Sequence, residues 1–140
     1  MFAFKKVLVV LIAAGLFLTA CGGERATEVK ITLTEFAIES SVTDFQVGVP
    51  YHFVVTNEGV VEHEIMIMPP LAEDQMGMAM DMGALDEMAL AMIEAEELQS
   101  GSTASFDYTF TEAAPAGTLE FACHTPNHYE QGMKLPITVK

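Results

Sequence analysis

The chain has 140 residues and a formal charge of −14, from 20 acidic residues against six basic ones. That length suits one domain with a modest core. So acidic a surface repels nucleic acid and anionic lipid headgroups, which excludes nucleic acid as a partner and favours basic docking surfaces.

The first segment stands apart from the rest. Lys5 and Lys6 precede an apolar run from Val7 to Leu18, too short for a comfortable permanent span and built like a secretory signal. The sequence Leu18-Thr19-Ala20-Cys21-Gly22 resembles a bacterial lipobox. That resemblance implies cleavage before Cys21 and lipidation of its sulfur. Two or three acyl chains give lasting attachment, where one gives only reversible binding. The expectation is a lipoprotein signal peptide over 1–20, a lipidated Cys21 with a polar, Gly-rich stalk over 21–28, and a folded domain over 29–140. The mature chain is then exported and anchored on the extracytoplasmic face of a bacterial membrane. With Cys21 lipidated, Cys123 has no partner for a disulfide. An unpaired thiol in an oxidising compartment is a hazard unless buried or metal-bound.

Beyond the stalk the apolar residues recur with period two, as in half-buried strands. Val29, Ile31 and Leu33 alternate with polar residues, and Phe36 and Ile38 follow after a slip. Tyr51, Phe53 and Val55 lead to a turn at Asn57-Glu58-Gly59. Val61, His63, Ile65 and Ile67 share one parity. So do Phe106, Tyr108 and Phe110, which precede a turn at Pro115-Ala116-Gly117. Leu119, Phe121 and Cys123 share another, and Ile137 and Val139 end the run. Seven or eight short strands with turns between them predict an all-β, antiparallel sandwich.

Residues 69–99 depart from this pattern and read as an insert. Met76, Met78, Met80 and Met82 alternate with small or acidic residues, and Leu85 to Leu98 is rich in Ala, Leu, Met and Glu. These are strong helix formers, and the spacing predicts a helix of about three turns. The methionines read as an apolar flap, joined by Met66 and Met68. The other reading open to them is a Cu(I) site, since thioethers bind that ion well.

The chemistry converges near the C-terminus, in Cys123-His-Thr-Pro-Asn-His128-Tyr-Glu-Gln-Gly-Met133. A thiolate, an imidazole and a thioether together favour copper over zinc, iron or calcium. Four residues separate Cys123 from His128, and four separate His128 from Met133. Pro126 stiffens the loop, and Gly132 permits a tight turn before Met133. Parity turns His63 and Cys123 toward the core, where a buried imidazole and thiol need each other or a metal. A second imidazole from His63 makes the trigonal two-His, one-Cys set with a weak axial Met, which moves one electron. Plainer roles stay open: a structural thiol for Cys123, a satisfied core histidine for His63, a surface histidine for His128, packing for Met133. His124 is turned away from Cys123 by parity, and His52 faces solvent.

From about Lys30 to Lys140 the chain resembles the cupredoxin family of plastocyanins, azurins and auracyanin-like proteins. The resemblance rests on Thr56-Asn57, on Glu62-His63-Glu64-Ile65, and on Gly117 through Met133. It implies a Greek-key β-sandwich and one mononuclear type 1 copper per chain. His63, Cys123 and His128 are then equatorial ligands and Met133 the axial one. It also implies electron carriage between redox proteins such as a cytochrome, oxidase or reductase. Plastocyanins and azurins carry Asn directly after the first His, where this chain has Glu64. A carboxylate accepts but does not donate unless protonated, so the tether of the ligand loop is expected to differ, through His124 or Thr125.

Two other functions compete. One is copper delivery or storage, with Met76, Met78, Met80 and Met82 holding Cu(I). The other is catalysis of the multicopper oxidase kind. That needs His on both sides of the Cys, and Ala122 stands at the first of those positions. The expectation is therefore an electron carrier and not an enzyme.

Overall fold

The computed structural model describes residues 25–72, 75 and 81–140. Lys5, Lys6, Cys21, Met76, Met78 and Met80, with the expectations attached to them, lie outside the described residues.

Among the described residues, nine strands form two sheets. They are β1 (Thr27–Thr34), β2 (Ala37–Ser40), β3 (Asp44–Phe45), β4 (Pro50–Asn57), β5 (Ile65–Met68), β6 (Ala91–Ile93), β7 (Thr103–Thr109), β8 (Ala114–Ala122) and β9 (Lys134–Val139). One sheet has the order β2-β1-β4-β7 and the other β3-β9-β8-β5-β6. The expected β-sandwich is present, with a short helical insert. It is not wholly antiparallel: β1 pairs parallel with β4, and β3 with β9. The β1–β2 hairpin feeds β3 in the opposite sheet, and the chain then returns beside β1 in the direction from which it left. Alternation of side chains says nothing about strand direction, so the sequence pattern is silent on this point.

The core follows the alternation. Val29, Ile31 and Leu33 of β1 and Tyr51, Phe53 and Val55 of β4 are buried against Phe121, Ile137 and Val139 of the other sheet. Phe45, Phe53, Phe110 and Phe121 meet edge-on or tilted within 6.1 Å, and Phe106 stacks on Phe53 at 4.8 Å. Such aromatic pairs add about 0.5–1.5 kcal/mol each beyond the area they bury. The predicted turn at Pro115–Gly117 lies inside β8 as a shift in its register with β9, with Gly117 at φ 83°.

The insert differs from its prediction. The helix α1 is Met82–Met88, two turns long, with the Asp81 side chain accepting from Gly83 N. It stops because Leu90 N donates to Ile67 O at 2.7 Å and draws the chain alongside β5. Residues Ala91–Ile93 then pair with Ile65–Ile67 as a strand, and a 3-10 turn covers Ala95–Glu97. Helix propensity in this Ala-, Met- and Glu-rich stretch yields to the backbone bonds that a sheet edge offers. As a result β5 is buried on both faces. Ile65 and Ile67 face the main core, while Met66 and Met68 pack with Leu85, Ala122 and Tyr129 beneath α1. None of the described helices is long and apolar enough to cross a membrane.

Candidate metal centre

The centre sits at one end of the sandwich, where three connections meet: the β1–β2 turn, residues 58–64 between β4 and β5, and residues 123–133 between β8 and β9. His63 is not on a strand, since β5 begins at Ile65, and Val61 is exposed and not in the core. Its place is fixed by the turn before it. Asn57, fully buried at the end of β4, donates through Nδ2 to Val61 O and Leu98 O, both at 2.8 Å, and accepts from Gly59 N at 2.8 Å. His63 N donates to Leu98 O at 3.2 Å. Every polar atom of the Asn57 side chain is used, shaping the 58–64 loop and tying it to Leu98.

The second loop is closed on itself. Cys123 N donates to Met133 O at 3.1 Å, Met133 N to His128 O at 3.0 Å, and His128 N to Thr125 O at 2.9 Å. Asn127 at φ 68° and Gly132 at φ 95° make the reversals, both in the left-handed region. Asn tolerates that region better than most residues, and Gly adopts it freely. These bonds bring Cys123, His128 and Met133, all buried, to one end of the fold.

His63, Cys123 and His128 converge. His63 Nδ1 lies 3.2 Å from His128 Nδ1 and 3.9 Å from Cys123 Sγ, and Cys123 Sγ lies 3.5 Å from His128 Nδ1. A point in the plane of that triangle is roughly 2 Å from all three atoms, a bond length typical of imidazole and thiolate on a first-row transition metal. Burial pushes the Cys123 thiol pKa up and both histidine pKa values down. The imidazoles are thus neutral and available as ligands, and a metal would displace the thiol proton. Soft sulfur with two imidazoles suits copper, and the dry, closed geometry fits a mononuclear ion.

Around the three donors the sequence-based expectations meet the structure in detail. Glu64, almost wholly buried, accepts His124 N at 2.7 Å, so the carboxylate joins the two ligand loops as an acceptor. Burial, aided by the nearby carboxylates Glu94, Asp86 and Glu96 and opposed by the His124 N–H, raises its pKa to about 7. Thr125 Oγ1 lies 3.4 Å from Cys123 Sγ. His124 turns away from the donors, stacks on Tyr129 at 4.4 Å, and places Nε2 3.2 Å from Met68 Sδ. His52, half-exposed in β4, pairs with Asp107 at 2.7 Å on the far side of the sheet. Of the alternating methionines only Met82 is described, and it opens α1, exposed.

Three neighbours of the centre escaped the sequence reading. Phe36, at φ 61° in the β1–β2 turn, stands edge-on to the His128 ring at 5.4 Å and is 45% exposed. Glu35 reaches Val60 N, and Gly59 lies between Glu35 and His63. A non-glycine residue at a hairpin turn gives no sign of what it leans on; only the slip in alternation between Leu33 and Phe36 marked the place.

No protein-family model matches the chain. The copper-resistant cuproprotein CopI of Rubrivivax gelatinosus is 31% identical over 93 residues, a match covering 66% of this chain and 53% of that protein. The chain thus spans about half the length of the curated relative it matches. The dithionite-reduced auracyanin of the photosynthetic bacterium Roseiflexus castenholzii superposes with a TM-score of 0.57 at 23% identity, covering 84% of this chain and 99% of that one. An auracyanin B structure gives 0.59 at 20% identity, covering 82% and 89%. Two sheets in this order, with a His–Cys–His–Met cluster where their end loops meet, give this chain the cupredoxin fold.

Proposed function

We propose that the protein is a blue copper electron carrier, tethered by lipid on Cys21 to the extracytoplasmic face of a bacterial membrane. The observation that carries this reading is the buried triangle of His63 Nδ1, Cys123 Sγ and His128 Nδ1, whose donor types and size suit copper. Met133, buried and hydrogen-bonded to both Cys123 and His128 through its backbone, would offer its thioether as a fourth, weaker ligand. Copper bound there would supply a one-electron Cu(I)/Cu(II) couple.

The protein's part is to hold the donors still. Asn57 pins the loop of His63, the 123–133 loop is bonded across its own mouth, and Glu64 ties one to the other. Little can shift when the charge at the centre changes, and low reorganisation favours fast transfer. Burial keeps bulk solvent from His63 and Cys123, while His128 lies nearest the surface, beside the exposed ring of Phe36. That edge is the port for electrons. A small apolar contact around Phe36 suits brief docking, and the acidic surface suits redox partners with basic faces. With Ala122 in place of the His that a trinuclear cluster needs, the chain is read as a carrier and not an oxidase.

The direct test is the visible and electron-spin spectrum of copper-loaded protein. One copper per chain, an intense thiolate-to-Cu(II) band, bleaching on reduction, and loss of the band in Cys123→Ser are expected. A colourless Cu(II) protein, or a band that survives Cys123→Ser, overturns the reading.

A second reading is copper delivery or storage. It draws on the relative's name and on the contact between Met68 Sδ and His124 Nε2, two donors that suit Cu(I). Cu(I) titration of the apoprotein separates the two. Several tightly held ions, reduced in number by changing Met68, Met76, Met78, Met80 and Met82 to Leu, favour storage. A single ion, unaffected by those changes, rules it out.

A further inference from the structure

His63 has one polar atom that the centre leaves unused. Its Nδ1 faces Cys123 and His128, while its Nε2 is buried and has no hydrogen-bond partner among the described residues. An imidazole that gives Nδ1 to a metal carries its proton on Nε2, and such a proton normally points at a carboxylate, a carbonyl or water. A buried N–H without an acceptor is costly, so the surroundings of Nε2 must supply one.

Gly59 marks what lies on that side. A Cβ added to Gly59 would come within 2.8 Å of His63 Nε2 and 2.7 Å of Glu35 Oε1. The two atoms therefore border the same small gap above the Gly59 backbone. One water bridging a nitrogen and an oxygen spans roughly 5–6 Å, and the gap is no wider than that. The carboxylate is also held in place. Glu35 Oε1 accepts Val60 N at 2.5 Å, and Glu58 N donates to Leu33 O at 2.8 Å, so the β1–β2 turn is fastened to the segment that leads into His63.

We infer that Glu35 is the outer acceptor for His63. Its carboxylate takes the hydrogen bond of Nε2–H through one water in the Gly59 gap, and so orients the ring and favours the oxidised, more positive centre. The Glu35 carboxyl lies below the usual carboxylate range, first through the Val60 N–H, then through its own N–H, with His63 and His128 also contributing. Glycine at 59 is what leaves the gap open. Glu35 is a positioning residue: it acts through the ligand His63 and not on the metal.

The inference rests on the copper reading, and the experiment keeps the two apart. Glu35→Gln, Glu35→Ala, Gly59→Ala and the Glu35→Gln/Gly59→Ala pair are loaded with copper beside the wild type. If the wild type binds no copper or shows no thiolate band, the copper reading fails and this inference falls with it. If it is blue, two measurements decide. The first is the reduction potential. Loss of the carboxylate charge in Glu35→Gln should move the one-electron equilibrium toward the reduced form by roughly three- to tenfold, about 30 to 60 mV. The double variant should move little further than either single change. The second is the magnetic resonance of the diamagnetic reduced protein. The His63 Nε2 proton should exchange slowly in the wild type and faster in Glu35→Ala, where the carboxylate is gone. Unchanged potentials and unchanged proton exchange in Glu35→Gln and Glu35→Ala would overturn the assignment while leaving the copper centre intact.

Discussion

Asn57 shows how much of the centre depends on a side chain that is not one of its donors. It is fully buried and makes three hydrogen bonds, two to the carbonyls of Val61 and Leu98 and one from Gly59 N. Asn57→Ala takes one bond from each of three backbone groups; Leu98 O keeps the His63 N–H, and the other two cost about 1–3 kcal/mol each where water cannot reach them. Asn57→Asp is no milder, because it turns an oxygen toward two carbonyls where a donor stood. Both variants should unfold several degrees earlier, and both should lose copper to a chelator faster than the wild type, since His63 follows the same turn. A melting temperature and a copper off-rate within error of the wild type would show that the turn holds without its asparagine. Asn57 was visible in the sequence as the start of a turn and as part of the family resemblance. Its bond to Leu98 O, 41 residues on, has no local signature.

The strand β5 and the helix α1 form a smaller core behind the ligand loops. Met66 and Met68 are fully buried on the face opposite Ile65 and Ile67, and Leu85 is the buried residue of the helix. Leu85→Ala should cost about 2–4 kcal/mol, because the helix is short, singly anchored, and leaves a cavity that it can only partly close. The spectrum of the copper-loaded variant should be unchanged, since Cys123 and Met133 belong to the main core and Leu85 to the satellite. An altered spectrum would mean that the flap shapes the centre. The same region marks how far sequence reasoning reaches. Ligand types and their spacing on one loop single out Cys123, His128 and Met133, and parity turns His63 toward the core, where it meets Cys123 and His128 even though it precedes its strand. Strand positions followed from alternation with few slips. The helix is shorter than composition predicts, because Ala, Leu, Met and Glu favour a helix locally while Ala91–Ile93 has a sheet edge to join. Parallel pairing of β1 with β4, and the meeting of Glu35 with Gly59, arise from topology, which no periodicity encodes.

An excess of acidic groups acts on the whole fold through pH. Two carboxyls, Glu64 and Glu120, are almost wholly buried with raised pKa values. For both, burial is the largest cause, and for Glu120 the Tyr129 hydroxyl at 2.6 Å and Lys134 work in the opposite direction. A carboxyl whose folded pKa exceeds its unfolded one binds its proton more tightly in the native state. Its contribution to stability is complete below the unfolded value, about 4.3, and is lost as the pH rises through the folded value. For Glu64 that window runs from near 4.3 to about 7. The apoprotein should therefore be more stable at pH 5 than at pH 8, by an amount of the order of 3 kcal/mol from Glu64 alone. Mutual repulsion among 20 acidic residues adds a slope of the same sign, but salt screens it and does not screen the buried groups. Denaturant unfolding across pH in low and high salt separates the two. Glu64→Gln keeps an acceptor for His124 N–H while removing the titration, so most of the salt-resistant slope should vanish in that variant. Glu120→Gln, which still accepts from Tyr129, should remove a further part. If the slope disappears in high salt with both glutamates present, surface repulsion alone governs the pH response and the buried carboxyls do not.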